Sequence, residues 1–536
     1  MATTVAQQPA EGLNLPPARA FRWTYALQLI ALGIVDIFGV LLAAGIGGDG
    51  NIFLAIAIVL TLVLINAVYV IPGLWPIRWM SPALALMLLL AVYPLMYTIY
   101  VGFTNYSDGH GYTKVEALEL LSQRRYLPSD SVNYTWQPFQ NESGEYALWL
   151  TDPDGNAFFA LPGQPLEAVT ANQSGEAPFN EDGIPASYNG YSLLTGGARF
   201  RSLSAVQEVT FGDEANPVGI QNLNEAGKFQ QQWVFDDASN TLSDLATGAT
   251  YHADDQIGEF VAADGTQAPV GYWVFVGFNN FTRIFQSSLR QGPLLLVFLW
   301  TIGFALVGSV SAFAVGLLMA LTLNGEAGWL RILRSVFIIP WAIPGMIGIL
   351  IWRGMFNSNF GIITTTLERI FGWSPAFSAD PGWAKFAALL VNLWFAFPYF
   401  MLIASGALQA IPAQLYEAAK VDGATRWDQF RNITLPLVLV SLGPLLIASF
   451  IFNFNNYLLL EALFQGGPPM AGTSAPPVGH TDNLITYTFR LAFSTGGTRD
   501  FGLASALAML IFIIVGVLTI VQFRMTGTWE EVSQNV

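Results

Sequence analysis

Eight stretches of this chain stay apolar for about 20 residues or more, the length that crosses a hydrocarbon core. They are 23–45, 52–71, 81–103, 293–323, 333–353, 386–411, 437–464 and 501–523. At 1.5 Å rise per residue each is long enough as a helix, so the pattern predicts eight membrane spans. The first run follows Arg19 and Arg22, as the apolar part of a signal peptide would. Its length exceeds that of such a region and more runs follow at once, so it reads as an anchor.

Between the third and fourth runs the periodicity changes. Tyr146–Leu150 and Phe158–Leu161 flank Asp152-Pro153-Asp154-Gly155, which suits a hairpin turn. Segments 230–235 and 270–276 also suit strands, and 114–123 suits a helix. Residues 104–291 hold 23 Asp+Glu against 8 Lys+Arg, whereas the remainder of the chain is neutral. The frame is therefore apolar and uncharged on balance, with one acidic, strand-rich, water-facing insertion large enough for its own core. The predicted division is 1–103 (tail and spans one to three), 104–291 (extracytoplasmic domain) and 292–536 (spans four to eight, with a loop at 412–436).

Lys and Arg placement sets the orientation. With the N-terminus inside, nine basic residues fall in cytosolic segments: Arg19, Arg22, Arg78, Arg331, Arg334, Lys420, Arg426, Arg431 and Arg524. Five fall in short outer loops: Arg353, Arg369, Lys385, Arg490 and Arg499. Both termini are thus expected in the cytoplasm and the acidic insertion outside.

Only 11% of the 536 residues are charged and 53% are hydrophobic, which excludes a disordered chain and argues against a soluble enzyme. The absence of cysteine removes disulfides, thiolate metal sites and a cysteine nucleophile, and three scattered histidines give no metal-ligand spacing. A net charge of -15 argues against a nucleic-acid partner. No GxxxxGK[ST] sequence occurs, so the chain has no P-loop for ATP. No internal repeat stands out and the spans divide three and five about the insertion, which weakens a secondary-transporter reading.

The segment 417–444, EAAKVDGATRWDQFRNITLPLVLVSLGP, carries the chemistry that turns this frame into a machine. Pro412 suits the start of a short helix. Gly423 suits the position after its end, where a positive φ is needed. Thr425 and Asp428 have capping-box spacing for a second helix, and Pro436 can open the seventh span. A helix–turn–helix on the cytosolic face follows, with Leu415, Ala418 and Ala419 on an apolar side and Glu417, Lys420 and Arg426 available to a partner. On physics alone an ordinary amphipathic connector would fit equally well.

The pattern Glu417-Ala418-Ala419, three residues, Gly423, nine residues, Ile433, one residue, Leu435-Pro436 resembles the EAA loop of ABC-importer permeases, with every fixed position matched. The eight spans with a large external domain after the third resemble the maltose/maltodextrin branch of the binding-protein-dependent sugar permeases. So do Gly277-Phe278-Asn279-Asn280-Phe281, Ser449–Tyr457, Tyr487–Phe493 and Asp500-Phe501-Gly502-Leu503. The resemblance implies an ABC-importer permease fold: an α-helical polytopic membrane protein with an inserted strand-rich extracytoplasmic domain. It also implies that Glu417, Ala418, Ala419, Asp422, Gly423, Ile433, Leu435 and Pro436 couple to a separate ATPase. The expected partners are a MalG-like permease subunit, two MalK-like ATPase subunits, an extracytoplasmic maltose-binding protein and membrane lipid. The chain itself is expected to bind no cofactor, with ATP and Mg on the partner subunits, and to be non-catalytic.

Two polar stripes suggest where a ligand would sit. Asn392, Phe395, Ala396 and Tyr399 share one helix face of span six, and Ser449, Phe452, Asn453 and Asn456 share one of span seven. Counted from the cytosolic ends, Tyr399 and Ser449 lie about 18 Å in, and Asn392 and Asn456 about 28 Å in, at 1.5 Å per residue. Amides and hydroxyls among aromatic rings suit sugar hydroxyls and sugar C–H faces, but they suit helix-to-helix hydrogen bonds equally well. The resemblance favours the sugar site. It also implies a small residue at Ala396 and a serine at Gly345, so the preferred sugar stays open between maltose, longer maltodextrins and another α-glucoside such as trehalose. Rival classes are an ion-coupled secondary transporter and an enzyme in 104–291, where Asp254 and Asp255 form an acidic pair. Of the intramembrane acids, Asp36 is assigned to helix pairing or snorkelling, and Glu461 to the outer end of span seven.

Overall fold

The computed structural model describes residues 23–169, 176–179, 184–288, 292–323, 325, 327–471, 478–493 and 498–534. Seven helical stretches in it are long and apolar enough to cross a membrane, or eight where a helix pair bent by 93° is counted as one span. Arg19 and Arg22 lie outside the described residues.

The first two spans, Trp23–Gly48 and Ile52–Val70, form a hairpin. Asn66 Nδ2 of the second donates to Asp36 Oδ1 of the first at 2.7 Å. A lone intramembrane carboxylate is costly, and here a neighbouring amide meets it, so Asp36 pairs the two helices. The third span, Pro76–Gly102, is assembled from a 3-10 turn, two α-helical pieces and an intervening π turn at Leu88–Val92.

The fourth span, Leu294–Leu323, is the central post of the permease core. One face carries Ala305, Gly308, Ser309, Ala312, Gly316 and Ala320, all buried. Against it lies the sixth span, Pro381–Ala410, whose N-terminus is capped by Asp380 Oδ1 accepting from the Gly382 and Trp383 amides at 2.9 Å. The two backbones approach closely because small residues face the contact: a Cβ on Gly316 would come within 2.6 Å of Phe400 Cβ and 2.8 Å of the Phe397 carbonyl.

Two predicted spans are not single helices. The run at 333–353 folds as Gly328–Ala342 and Gly345–Met355, bent by 93°. Ile343, between them, is extended (φ -75°, ψ 133°), because the ring of Pro344 disfavours helical geometry in the residue before it. The run at 437–464 folds as Leu435–Phe454 and Tyr457–Phe464. Asn455 and Asn456 leave helical geometry, and Asn456 caps the second helix through its side chain, accepting from the Leu459 amide at 3.2 Å. Short amide side chains favour caps over helix interiors. The fully buried Asn483 donates to the freed Asn456 carbonyl at 3.2 Å. Glu461 consequently sits on a separate short helix, where it pairs with Arg490 at 2.9 Å. Arg490 also holds the buried Asp482 at 3.0 Å.

The insertion is built mainly of antiparallel strands. A seven-stranded sheet has the spatial order Glu167–Val169, Ala157–Ala160, Tyr146–Thr151, Thr135–Gln140, Tyr191–Leu193, Pro185–Tyr188, Glu176–Phe179. The predicted hairpin supplies its second and third strands, with Leu150 opposite Phe158 and the turn closed by Asn156 N donating to Asp152 Oδ1 at 2.8 Å. A four-stranded meander, Trp233–Asp236, Thr241–Asp244, Thr250–Asp254 and Glu259–Ala262, packs against the predicted helix, observed at Lys114–Ser122 with a Thr113/Glu116 capping box. The expected strand at 270–276 is instead extended chain with one bridge, Phe275 to Thr104. It pairs with the segment entering the domain: Val274 N donates to Asn105 Oδ1 at 2.7 Å, and the buried Asn280 donates to the Gly102 and Thr104 carbonyls at 3.0 and 2.7 Å. Entry and exit strands thus leave the frame side by side.

Candidate functional site

Between the sixth and seventh spans, 412–436 forms a helical elbow, the predicted helix–turn–helix. Its first helix is Ala413–Val421. Gly423 follows with φ +81°, and two hydrogen bonds close the end: Gly423 N to Lys420 O at 3.1 Å and Ala424 N to Ala419 O at 2.8 Å. That is the two-bond glycine termination, in which left-handed geometry lets the chain reverse over the helix's free carbonyls. The next helix, Arg426–Gln429, starts with a reciprocal box: Asp428 N donates to Thr425 Oγ1 at 3.2 Å, and Thr425 N to Asp428 Oδ2 at 3.0 Å. A π turn at Phe430–Thr434 feeds the seventh span, which begins at Leu435 with Pro436 in its first turn. Tyr416 Oη and Thr434 Oγ1 lie 2.9 Å apart and tie the first helix to the root of that span. The elbow therefore joins the sixth span, which ends at Ala410, to the seventh, which starts at Leu435, and its first helix is tied by a side chain to the seventh.

Its expected apolar side is not packed on this chain. Leu415 is 44% exposed and Val421 88%, with Trp427 at 65%. Ala418, Glu417 and Asp422 are also exposed, and only Tyr416 and Ala419 are partly covered along the helix. Apolar residues interleaved with carboxylates on a rigid, exposed turn make a surface suited to a protein partner.

Midway through the frame, three spans bring the first set of polar residues together. Asn453 Nδ2 donates to Ser309 Oγ at 3.0 Å, and Ser449 Oγ donates to Ser309 Oγ at 3.1 Å. Asn392 faces the same spot: a Cβ on Gly308 would lie 2.6 Å from Asn392 Nδ2 and 3.5 Å from Asn453 Nδ2. Asn392, Asn453 and Ser309 are 3%, 2% and 1% exposed, and Asn392 Nδ2 has no hydrogen-bond partner among the described residues. Ser309 has no place in the sequence-derived stripes. Its signal is weak, a Gly-Ser pair within an otherwise apolar helix.

The aromatic residues of the sixth span meet the bent fifth span, where a Cβ on Gly348 would lie 2.5 Å from Phe395 Cζ. Phe395 packs edge-on to Trp394, with centroids 4.9 Å apart, and Tyr399 lies 6.3 Å from the Trp341 ring, on the bent fifth span. Ala396 is half-buried in the packing between spans four and six. Phe452 is 70% exposed on a different side of the seventh span, and Asn456 is engaged as the cap described above. The eight expected residues are thus not one continuous lining. Asn392, Ser449 and Asn453 converge, Phe395 and Tyr399 meet the fifth span, and Phe452 and Asn456 stand apart. At Gly345 an added Cβ would meet only Leu458 Cδ2, at 3.7 Å, so a larger residue fits.

In the inserted domain, Asp255 accepts from Tyr272 Oη at 2.6 Å and from Lys114 Nζ at 2.9 Å. The tyrosine hydroxyl first, then the lysine, hold its carboxyl below the usual carboxylate range. Burial, reinforced by Asp255, raises Tyr272. The carboxylate is committed to joining a helix to a strand end, which is a structural use of the acidic pair. No group of three or more metal-ligating side chains occurs among the described residues.

The chain is similar to known membrane transport proteins over most of its length. A family described as "Binding-protein-dependent transport system inner membrane component" matches residues 312–526, and one described as "N-terminal of TM subunit in PBP-dependent ABC transporters" matches 85–160. The chain is 36% identical over 459 residues to the maltose/maltodextrin transport system permease protein MalF of Escherichia coli (strain K12), covering 84% of this chain and 86% of that protein. To MalF of Vibrio cholerae serotype O1 it is 35% identical over 467 residues, covering 85% and 86%. A crystal structure of a bacterial alginate ABC transporter aligns over 47% of this chain and 83% of that chain, with TM-score 0.40 and 21% identity.

Proposed function

The chain belongs to the MalF family of maltose/maltodextrin transport system permeases, and from that premise we propose that it moves maltose or maltodextrins inward between its fourth, sixth and seventh spans. It is a multi-pass inner-membrane permease subunit of a binding-protein-dependent ABC importer, and non-catalytic. In the proposed assembly a MalG-like permease pairs with it, two MalK-like ATPases lie beneath, and a maltose-binding protein delivers sugar from outside. ATP and Mg bind the ATPases. Both termini face the cytoplasm.

The observation that carries this reading is the elbow. It is a locally well-closed turn, rooted in the seventh span at Tyr416–Thr434, with Leu415, Val421 and Trp427 left uncovered. A surface that is both rigid and apolar can transmit displacement only if something grips it. The seventh span then carries that displacement to Ser449 and Asn453, which lie on the same continuous helix, Leu435–Phe454. A nucleotide-driven partner shifts the frame between inward- and outward-facing states by binding one of them more tightly. The sugar is held by Asn392, Ser449 and Asn453, with Phe395 and Tyr399 as flanking rings and Ala396 limiting the space. Phe452 and Asn456 join the site as the spans rearrange.

Uptake into vesicles carrying the whole assembly tests this. Asn453→Ala and Tyr399→Ala should each cut binding-protein-dependent maltose uptake at least tenfold with normal assembly. Uptake that needs no ATP and collapses with an ionophore would instead make the chain an ion-coupled transporter.

A further inference from the structure

The fourth span contributes no residue to the sugar site in the reading above, yet its Gly308–Ser309 step touches the three residues that converge there. We propose that this step is the positioning element of the site: Gly308 makes room for the Asn392 amide, and Ser309 fixes the orientation of Asn453. The proposal rests on the sugar-site reading and assigns to it a residue pair outside the two stripes.

The argument is one of donors and acceptors. A side-chain amide can turn over, exchanging nitrogen for oxygen, and each choice presents different chemistry. Ser309 Oγ accepts the Asn453 amide N–H at 3.0 Å and the Ser449 hydroxyl at 3.1 Å. With its nitrogen held to the fourth span, Asn453 turns its carbonyl oxygen away from that span as an acceptor. Asn392 supplies the complement: its Nδ2 is buried, close over Gly308, and unpartnered among the described residues. An orphaned buried donor is unfavourable unless something completes it. A sugar hydroxyl both donates and accepts, so it can answer Asn453 and Asn392 together. A side chain at 308 would displace the Asn392 amide, because even a methyl carbon would sit 2.6 Å from Nδ2. The bonds between the seventh span and Ser309 cross more than 100 residues of sequence, so they also join the moving span to the post it moves against.

The test is a double-mutant cycle on maltose binding to the purified importer, held with a non-hydrolysable ATP analogue and measured by equilibrium dialysis without binding protein. Ser309→Ala should weaken binding about tenfold, while Ser309→Thr, which keeps the hydroxyl, should restore it to within about twofold. In an Asn453→Ala background, Ser309→Ala should have little further effect, because the group it orients is gone. Gly308→Ala should weaken binding in wild type but not in an Asn392→Ala background. Independent, multiplying effects of Ser309→Ala and Asn453→Ala would overturn the proposal, as would a Ser309→Ala importer that binds like wild type. Should Asn453→Ala itself leave binding unchanged, the sugar-site reading fails, and the positioning role with it. Recovery of assembled complex for each variant separates these outcomes from misfolding.

Discussion

Replacing Gly423 with proline perturbs the elbow where its geometry is least forgiving. The residue has φ +81°, whereas a proline ring locks φ near -65°. A left-handed conformation costs an ordinary L-residue about 1–2 kcal/mol. Proline cannot adopt it, and it also lacks the N–H that bonds the Lys420 carbonyl at 3.1 Å, worth about 0.5–1.5 kcal/mol. Together the docking geometry becomes disfavoured by about 3 kcal/mol, which leaves roughly one elbow in a hundred competent at any moment. Gly423→Ala keeps the N–H and loses only about 1–2 kcal/mol, roughly a tenfold effect. No span is touched, because the first helix of the elbow lies outside the apolar stretches. The assay is binding-protein-dependent uptake and maltose-stimulated ATP hydrolysis in vesicles, normalised to membrane-inserted protein. The expected order is wild type, then Ala, then Pro near background, with equal insertion. Full uptake by the proline variant would refute the reasoning, since the elbow's shape would then be irrelevant to coupling.

Three further expectations follow from the geometry. Gly345→Ser should fit without disturbing the bend, since its Cβ meets only Leu458 at 3.7 Å; one added hydrogen bond to sugar would tighten maltose binding about two- to tenfold, and a loss of assembled complex would contradict the space seen there. Gly316→Ala should push the fourth and sixth spans apart, because its methyl would meet Phe400 and the Phe397 carbonyl within 2.8 Å; a destabilisation of about 1–3 kcal/mol is expected by thermal unfolding in detergent, and an unchanged unfolding temperature would argue against that close packing. Asp255 titrates below its ordinary value in the folded domain, so its contribution is present above the unfolded pKa of about 3.9 and is lost as pH falls through the folded value. The stability difference between wild type and Asp255→Asn, followed by tryptophan fluorescence of the intact protein, should therefore shrink below about pH 4, and a difference that grew in acid would have the wrong sign.

The parts of the fold that were legible in the sequence are those decided locally. The elbow's glycine end, its Thr425/Asp428 box and the Asp152–Asn156 turn each depend on residues a few positions apart, and side-chain type at fixed spacing states them directly. Span existence was equally plain, because apolar length alone decides it. Two span interiors were not, although both carried a signal that hydropathy ignores. Pro344 forces Ile343 out of the helix, and three asparagines within Asn453–Asn456 favour a cap over continuation. The alignment of Asn456 with Asn453 on one face failed for that reason. Ser309 was beyond reach for a different cause: its partners lie 140 and 144 residues away in sequence, and only the small face of the fourth span, packed against two others, brings them together.

The central claim is that the elbow is gripped by a separate energy-consuming chain. The protein has no cysteine, so Glu417→Cys places a single thiol on the exposed elbow helix without removing any other. Cross-linking from that thiol during ATP-driven maltose uptake should yield one adduct with a P-loop ATPase, and its yield should change when ATP is replaced by a non-hydrolysable analogue. An adduct formed only with lipid or within this chain, in vesicles that still transport, would contradict the account.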